Sequence, residues 1–497
     1  MDSVAGMEWE ALERVRLSRD PRFDGKIFVA VRSTKIFCRP ICPSPSSKPK
    51  NVRYYATASE ATEAGFRPCL RCRPEAAPGS PAWLGTSAVV RRALRLIRDG
   101  ALDNDSVEQL ASRLGVGTRH LDRLFAQHVG TSPNAIAQTR RLQFAKRLLD
   151  ETRLSITQIA LAAGYGSLRR FNHCFRMTYR RSPRELRKRR PLPAGHSPEH
   201  VSLRFAYRPP YDWKHALQFL AARAIAGVEH VDGESYSRVV RIDDALATVR
   251  VSQIPDADCL ELHVCGAEPG ALFSIANTAK RMFDVAADPG RTLHLFGKDE
   301  LLRPLARKWP GTRIVGAWDP FECAVRAIAG QQVRVAAGRT VISRIASAFG
   351  TRLPAVNGNL THAFPTARQL ARANLVTVGL TGARARAIVS LARAVRDGSI
   401  EWNAPTEEVV AALTAVSGIG PWTAQYVALR ALGEPDAFPT GDLVLRQFAG
   451  GKEAPVPANS LEQRAQAWRP WRGYAVMLAW RTAGSFLTRN RSNRSRR

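Results

Sequence analysis

Four cysteines near the start of the chain place the tightest constraint on how it can fold. Cys38-Arg-Pro-Ile-Cys42 and Cys69-Leu-Arg-Cys72 form a C-x3-C pair and a C-x2-C pair with 26 residues between them. Each pair puts two thiolates on one turn, and the two pairs together complete a tetrahedral shell of four sulfurs suited to one Zn2+. The intervening chain must therefore double back on itself. From spacing alone, such a metal serves as a structural staple for a domain of about 75 residues. The remaining cysteines, Cys174, Cys259, Cys265 and Cys323, are scattered in apolar contexts and read as packing residues.

At 497 residues the chain is too long for one core, so three or four domains are expected. Its formal charge of +31 points to a polyanion as partner. A membrane surface is the competing polyanion, but no apolar run approaches the roughly 20 residues of a spanning helix. Met1 to Glu13 is acidic and has no signal-peptide core. The expectation is a cytoplasmic protein held at the nucleoid by double-stranded DNA, with no membrane partner.

After a Pro-rich connector from Arg73 to Ala82, helical periodicity resumes at Val89, Val90 and Leu94. Val107, Leu110, Ala111 and Leu114 form one stripe, Gly115-Val-Gly117 a turn, and Leu121, Leu124 and Phe125 a second stripe. This is a helix-turn-helix pattern, and it occurs twice. Ile156, Ile159, Ala160 and Ala163 precede a turn at Gly164, followed by Leu168, Phe171 and Phe175; Phe125 to Pro133 matches Phe175 to Pro183 at an offset of 50. The two second helices would expose Arg119, His120 and Arg123, and Arg169, Arg170, Asn172, His173 and Arg176, side chains able to reach base edges and phosphates in a major groove. Arg180 stands where the first repeat has Gly130, a departure expected to alter that turn.

A basic, Pro-rich linker runs from Arg187 to Pro198, and beyond it the pattern changes to alternation: Val201, Leu203, Phe205 and Tyr207; Val249 and Val251; Leu260, Leu262 and Val264. Trp213 to Ile225 reads as a helix among these strands. No catalytic constellation is visible there, so the segment reads as structural. From Leu293 the periodicity is helical, over Phe321–Ala336, Thr340–Phe349 and Arg384–Val395. Glu407–Val416 and Trp422–Leu432 flank a tight hairpin, Ser417-Gly418-Ile419-Gly420-Pro421, whose glycines let backbone N–H groups approach a phosphate. Asp442 follows after Phe438-Pro-Thr-Gly441. The tail from Arg489 to Arg497 reads as disordered and basic.

Three resemblances give these segments functions. Asp20-Pro-Arg-Phe-Asp24-Gly, Ala30 to Pro40, and Ala64-Gly-Phe-Arg-Pro-Cys69-Leu-Arg-Cys72 resemble the N-terminal zinc domain of the Ada adaptive-response family. That resemblance implies that Cys38 takes a methyl group from a methylphosphotriester in DNA. Four thiolates around one dication keep a net charge of about −2 and a nucleophilic sulfur; methylation makes one ligand a neutral thioether, an expected switch that tightens DNA binding. Leu84 to Arg190 resembles the AraC-type transcription-factor domain, the neighbour of the zinc domain in Ada, and implies RNA polymerase as a further partner. The Pro-Cys-His-Arg motif of O6-methylguanine repair occurs nowhere.

Arg291 to Phe486 resembles the helix-hairpin-helix DNA glycosylase superfamily, and within it 3-methyladenine DNA glycosylase II, through Ala329-Gly-Gln-Gln-Val333, Gly418-Ile-Gly-Pro-Trp-Thr-Ala424, and Trp468-Arg-Pro-Trp-Arg-Gly-Tyr474 with Trp480. The resemblance implies an aromatic base pocket of Trp422, Tyr426 and Trp480, a catalytic Asp442, Gln332 as the residue that wedges into DNA, and Gly418, Gly420 and Thr423 against a phosphate. It also admits a monovalent cation at the hairpin 417–422. A polar wedge departs from the apolar Leu often found there. By the residues alone, Trp422 and Tyr426 could be core and Asp442 a helix cap. Lyase-competent relatives carry a Lys where Trp422 stands, so an intact abasic site is the expected product; no cysteine follows Cys323, so an iron–sulfur loop is not expected.

The expected fold class is multidomain and mainly α: a small zinc-bound α/β domain at 1–78, an AraC-type double helix-turn-helix at 84–190, a small α+β domain at 199–290, an all-α helix-hairpin-helix glycosylase domain at 291–488, and the tail at 489–497. The expected function is zinc-dependent methylphosphotriester sensing with transcriptional regulation, plus excision of alkylated bases, carried out by a monomer. Two rivals compete with it. One is a transcriptional activator whose glycosylase fold is a passive DNA-binding module, and the other a repair enzyme whose front half only recruits it to damage.

Overall fold

The structure is a computed structural model that describes residues 7–72, 74, 77, 88–98, 100–102, 105–188, 200–451 and 453–482. Most of the connector at 73–82, the linker beyond 188 and the tail at 489–497 lie outside the described residues. The chain divides into two compact units. The first holds Met1–Pro209, Ile242–Lys280 and Val285–Ala287, the second Pro210–Arg241, Arg281–Asp284 and Asp288–Arg497. The α+β segment contributes to both.

In the first unit, α1 (Trp9–Ser18) leads into a four-stranded sheet of order β3-β1-β2-β4, with β1 at Phe28–Val31, β2 at Ile36–Cys38, β3 at Val52–Tyr55 and β4 at Arg67–Pro68. Helix α2 (Ala58–Glu63) covers it, over a small core of Phe28, Ala30, Phe37, Tyr55, Ala58, Ala61 and Phe66. Leu12, Val15, Ile27, Val29, Val52 and Tyr54 form a second cluster, and two cores this small suit a domain that leans on a metal.

Next come α3 (Ala88–Arg98), α4 (Val107–Arg113), α5 (Thr118–Val129), α6 (Pro133–Glu151), α7 (Ile156–Ala162), α8 (Leu168–Tyr179) and α9 (Pro183–Lys188). Their starts are written in the sequence: Ser106 with Gln109 and Ser155 with Gln158 form capping boxes, and Ser132 and Ser167 cap α6 and α8. Gly130 ends α5 at φ +75 and Arg180 ends α8 at φ +56, so both cap positions are left-handed. The backbone region is the same at both, but the cap bond differs, since the Gly130 N–H donates to the Phe125 carbonyl and the Arg180 N–H to the Arg176 carbonyl. The left-handed φ favours glycine at 130, where a Cβ would also lie 2.8 Å from the end of the Glu60 side chain. At position 180 the arginine carries a left-handed cost of about 1–2 kcal/mol.

The first unit also holds β5 (His200–Ala206), β8 (Ala245–Gln253) and β9 (Cys259–Cys265), antiparallel, with Val201 opposite Val264 and Leu203 opposite Leu262. The alternating residues Val201, Leu203, Phe205 and Tyr207 are all buried, as a sheet with one covered face requires. Helix α11 (Leu272–Met282) follows.

The second unit contains α10 (Trp213–Ala221) and the hairpin of β6 (Glu229–Val231) with β7 (Ser235–Ile242). Helices α12 (Pro289–Phe296), α13 (Arg303–Lys308), α14 (Pro320–Ala329) and α15 (Val335–Phe349) come next, followed by β10 (Thr351–Asn357) and β11 (Leu360–Ala363). Then come α16 (Ala367–Leu370), α17 (Gly382–Arg396), α18 (Thr406–Ala415), α19 (Pro421–Arg430), α20 (Leu443–Gly450), α21 (Ala458–Ala465) and a helix over 472–482. One expected boundary is wrong. The periodicity over Phe321–Ala336 is two helices, because the chain leaves α14 at Gly330 and turns through Gln332 at φ +54 before α15 begins. The core of this unit is Ile328, Ile342, Ile345, Leu370, Ile388, Leu391, Leu413, Ile419 and Val427, which fixes the hairpin against α14 and α17.

Candidate active site and DNA-reading surfaces

The hairpin joins α18 to α19. Gly418 has φ +88, and a Cβ there would lie 2.6 Å from the Cβ of Ala387, so both backbone and packing require glycine. Gly420 differs. It is the N-cap of α19 in an extended conformation, is exposed, and an added Cβ would meet nothing within 4 Å. The space before this helix start is open, and its first N–H groups carry the positive end of the helix dipole.

Thr423 does not present its side chain there: it is 2 % exposed, and its hydroxyl accepts from Gln331 Nε2 at 3.1 Å. The cause is simple, since the third residue of α19 turns its side chain inward. Its backbone N–H remains in the first turn. Gln331 also donates to the Gly418 carbonyl at 3.1 Å, so the loop between α14 and α15 braces the hairpin. Gln332, next to it, is exposed in a left-handed conformation, as a residue standing out from the surface would be.

Trp422 and Tyr426 share one face of α19, with ring centroids 5.3 Å apart and planes 23° from parallel. Tyr426 lies 5.8 Å from Trp480 on the terminal helix. Asp442 caps α20 by accepting from the Leu445 N–H at 3.1 Å. Its other contacts are to the rings: Trp422 Nε1 donates to Oδ2 at 3.0 Å and Trp480 Nε1 to Oδ1 at 3.3 Å. One carboxylate, 8 % exposed, thus caps a helix and holds two indoles at once.

Helix α10 of the α+β segment packs against this site. Helix α10 brings Phe219 to stack on Trp480, centroids 6.4 Å apart and planes 16° from parallel, and Arg223 lies 3.7 Å over the Phe219 ring. At helical spacing Phe219 looks like any core aromatic, so no local signal marks it. Arg430, 5 % exposed, donates to the Tyr426 hydroxyl at 2.8 Å and was also not singled out by sequence. Burial pushes Arg223 down to about 10 despite Tyr426 beside it.

A buried ionic network ties the β6–β7 hairpin to α14. Arg238 Nη2 meets Glu322 Oε2 at 2.7 Å, Arg326 Nη1 meets Glu229 Oε2 at 3.0 Å and Glu322 Oε1 at 2.9 Å, and Tyr236 donates to Glu229 Oε1 at 2.6 Å. Burial works against the Glu229 carboxylate, but Arg326 and Arg238 outweigh it and hold the group below its usual range. Breaking one such pair leaves a buried charge alone, so the network fixes the hairpin on α14, and Arg326 also donates to the Arg223 carbonyl just beyond α10.

In the first unit the Sγ atoms of Cys38, Cys42, Cys69 and Cys72 lie within 4.8 Å of one another. A tetrahedral zinc with bonds of about 2.3 Å needs sulfurs about 3.8 Å apart, so the four residues fit the ion after slight contraction. Hydrogen bonding from Cys42, then Cys69 and Cys72, pushes the Cys38 thiol up, since so many sulfurs cannot all ionise without a cation among them. The Arg39 backbone N–H donates to Cys72 Sγ at 3.3 Å, and its side chain pairs with the buried Asp24, which accounts for the aspartate of the Asp20–Gly25 stretch. Cys38 is partly exposed, whereas Cys42, Cys69 and Cys72 are buried.

On the helix-turn-helix pair, Phe125 and Leu121 of α5 and Phe171 and Phe175 of α8 are buried. The opposite faces expose Arg119, His120 and Arg123, and Arg169, Arg170, His173 and Arg176, with Asn172 half-buried. These positions are brought together on two helix faces, as the spacing predicts.

Fold and site define a helix-hairpin-helix DNA glycosylase fold carried on one chain with a four-cysteine zinc domain and a double helix-turn-helix. Residues 11–75 match the metal binding domain of Ada, 110–189 a helix-turn-helix domain, and 202–319 the AlkA N-terminal domain. A Mycobacterium tuberculosis (strain CDC 1551 / Oshkosh) protein named "Probable bifunctional transcriptional activator/DNA repair enzyme AlkA" is 38% identical over 481 residues, 96% of each chain. The chain belongs to that family. The "DNA-3-methyladenine glycosylase 2" of Escherichia coli (strain K12) is 35% identical over 286 residues, 56% of this chain and 96% of its own. The solved 3-methyladenine DNA glycosylase from Archaeoglobus fulgidus shares the fold, with a TM-score of 0.50 at 21% identity over 56% of this chain and 96% of its own.

Proposed function

We propose that this chain excises alkylated bases such as 3-methyladenine and 7-methylguanine from double-stranded DNA, and regulates transcription in response to methyl transfer onto Cys38. The observation that carries the first half is Asp442, a carboxylate bonded to two indoles at the edge of an aromatic stack. An extruded cationic purine is attracted to the faces of Trp422, Tyr426 and Trp480. As the N-glycosidic bond breaks, its electron pair goes to the base and neutralises it, while positive charge builds on the sugar. Asp442 stabilises that charge, water adds to the sugar carbon and loses a proton, and an abasic site remains. Trp422 stands where a lyase would carry its amine, so the strand stays intact. Gly418 and Gly420 with the first N–H groups of α19 grip a backbone phosphate, with a monovalent cation at 417–422 in the same grip, and Gln332 fills the gap left by the base.

For the second half, Cys38, Cys42, Cys69 and Cys72 hold one Zn2+, which when bound keeps the sulfurs ionised at neutral pH. The partial exposure of Cys38 among three buried ligands supports it as the acceptor. Its sulfur bonds to the methyl carbon, the carbon–oxygen bond breaks, and the electron pair stays on the phosphate oxygen, which becomes an ordinary diester anion. One negative charge thus leaves the zinc site, and repulsion between this domain and DNA falls. The exposed arginines of α5 and α8 read the promoter, with one chain supplying both readers and contacting RNA polymerase.

Two measurements test this. Wild-type protein should release 3-methyladenine from alkylated DNA and take up label from methylphosphotriester DNA; Cys38→Ser should lose the uptake and keep the release. No release by the wild type would favour the passive DNA-binding reading of the second unit.

A further inference from the structure

We propose that Arg430 is a positioning residue that turns the Tyr426 hydroxyl into a hydrogen-bond donor aimed at the extruded base. This rests on the base-excision reading above. Arg430 is locked from behind: its Nε donates to the Val315 carbonyl and its Nη2 to the Gly316 carbonyl at 3.2 Å. The remaining Nη1 donates to the phenol oxygen at 2.8 Å. Arg223 lies close by, over the Phe219 ring, and its Nη1 donates to the Phe219 carbonyl at 3.1 Å. A guanidinium has donors only and cannot accept the phenolic proton.

The oxygen of Tyr426 therefore already accepts from a cation, and its proton must go to another acceptor. The ring is half-buried between Trp422 and Trp480, in the pocket where the base would enter. Positive charge on the oxygen polarises the O–H bond and strengthens it as a donor. The ligand chemistry this selects is a ring nitrogen or carbonyl on the edge of the base. Stacking alone recognises any flat cation, whereas this contact recognises an acceptor edge.

The test is single-turnover release of 3-methyladenine, beside equilibrium binding to abasic-site DNA, for wild type, Tyr426→Phe, Arg430→Met, Arg430→Lys and the double variant Tyr426→Phe/Arg430→Met. Tyr426→Phe should slow release about tenfold, the scale of one hydrogen bond to a charge-assisted donor, with abasic binding within about twofold. Arg430→Met should match it, and the double variant should be no more than about twofold slower than either, because both remove one interaction. Arg430→Lys keeps a cationic donor and should stay within about threefold of wild type. Should Arg430→Met fail to fold, Tyr426→Phe and Arg430→Lys still decide the matter. Wild-type rates in Tyr426→Phe, or losses that multiply to about a hundredfold in the double variant, would overturn the proposal in favour of a structural arginine. No release by wild-type protein would instead overturn the base-excision reading beneath it.

Discussion

Asp442→Asn separates the charge of this carboxylate from its shape. Asparagine caps helices about as well as aspartate, so the bond to the Leu445 N–H survives. The two indole N–H groups are a different matter, since Trp422 donates to one carboxylate oxygen and Trp480 to the other, and an amide offers only one oxygen. One buried donor then faces an NH2 group, at a cost of about 1–3 kcal/mol, which a domain of ordinary stability survives. The catalytic loss is larger. A carboxylate about 4 Å from the sugar cation contributes about 4 kcal/mol at an effective dielectric constant near 20, or roughly a thousandfold in rate. Single-turnover release of 3-methyladenine with enzyme in excess measures that factor, with thermal melting as the check on folding. A folded Asp442→Asn protein within about tenfold of wild type would refute the electrostatic argument and leave Asp442 as a cap.

The two hairpin glycines should respond differently. Gly418→Ala should cost about 2–4 kcal/mol, from the left-handed backbone and the clash with Ala387, read as a lower urea midpoint. Gly420→Ala should change stability by about 0.5 kcal/mol or less and weaken abasic-DNA binding about fivefold, because its methyl points into open space where a phosphate would come. Stripping zinc with a chelator should unfold the four-cysteine domain by circular dichroism and abolish methyl uptake while base release persists. Burial, reinforced by the charge of Arg481, pushes His215 down to about 4 from 6.5. The unfolded chain therefore binds that proton more readily; the stability contributed is complete above pH 6.5 and is lost as pH falls toward 4. His215→Gln should flatten this part of the pH dependence of the urea midpoint.

Much of the site is legible in the chain because its parts are local. The hairpin, its glycines and the cap at Asp442 follow from short-range spacing, and Trp422 and Tyr426 are one helical turn apart. Capping serines mark the starts of α4, α6, α7 and α8 for the same reason. That the Thr423 side chain is buried was not legible, because helical spacing does not say which side of the first turn faces the core. The apolar stripe over Phe321–Ala336 runs across the break at Gln332, and only the family resemblance put Gln332 in a loop.

Spacing along the chain determined that four thiols converge, that two helix-turn-helix units repeat, and that a glycine hairpin precedes an acid. Tertiary structure alone decided that Phe219, remote in sequence from Trp480, completes the aromatic wall, and that Arg430 faces a phenol instead of a carboxylate. The division has a physical cause. Turn chemistry and helical phase act over a few residues, whereas ring stacking and buried ion pairs join segments that only the packed core brings together.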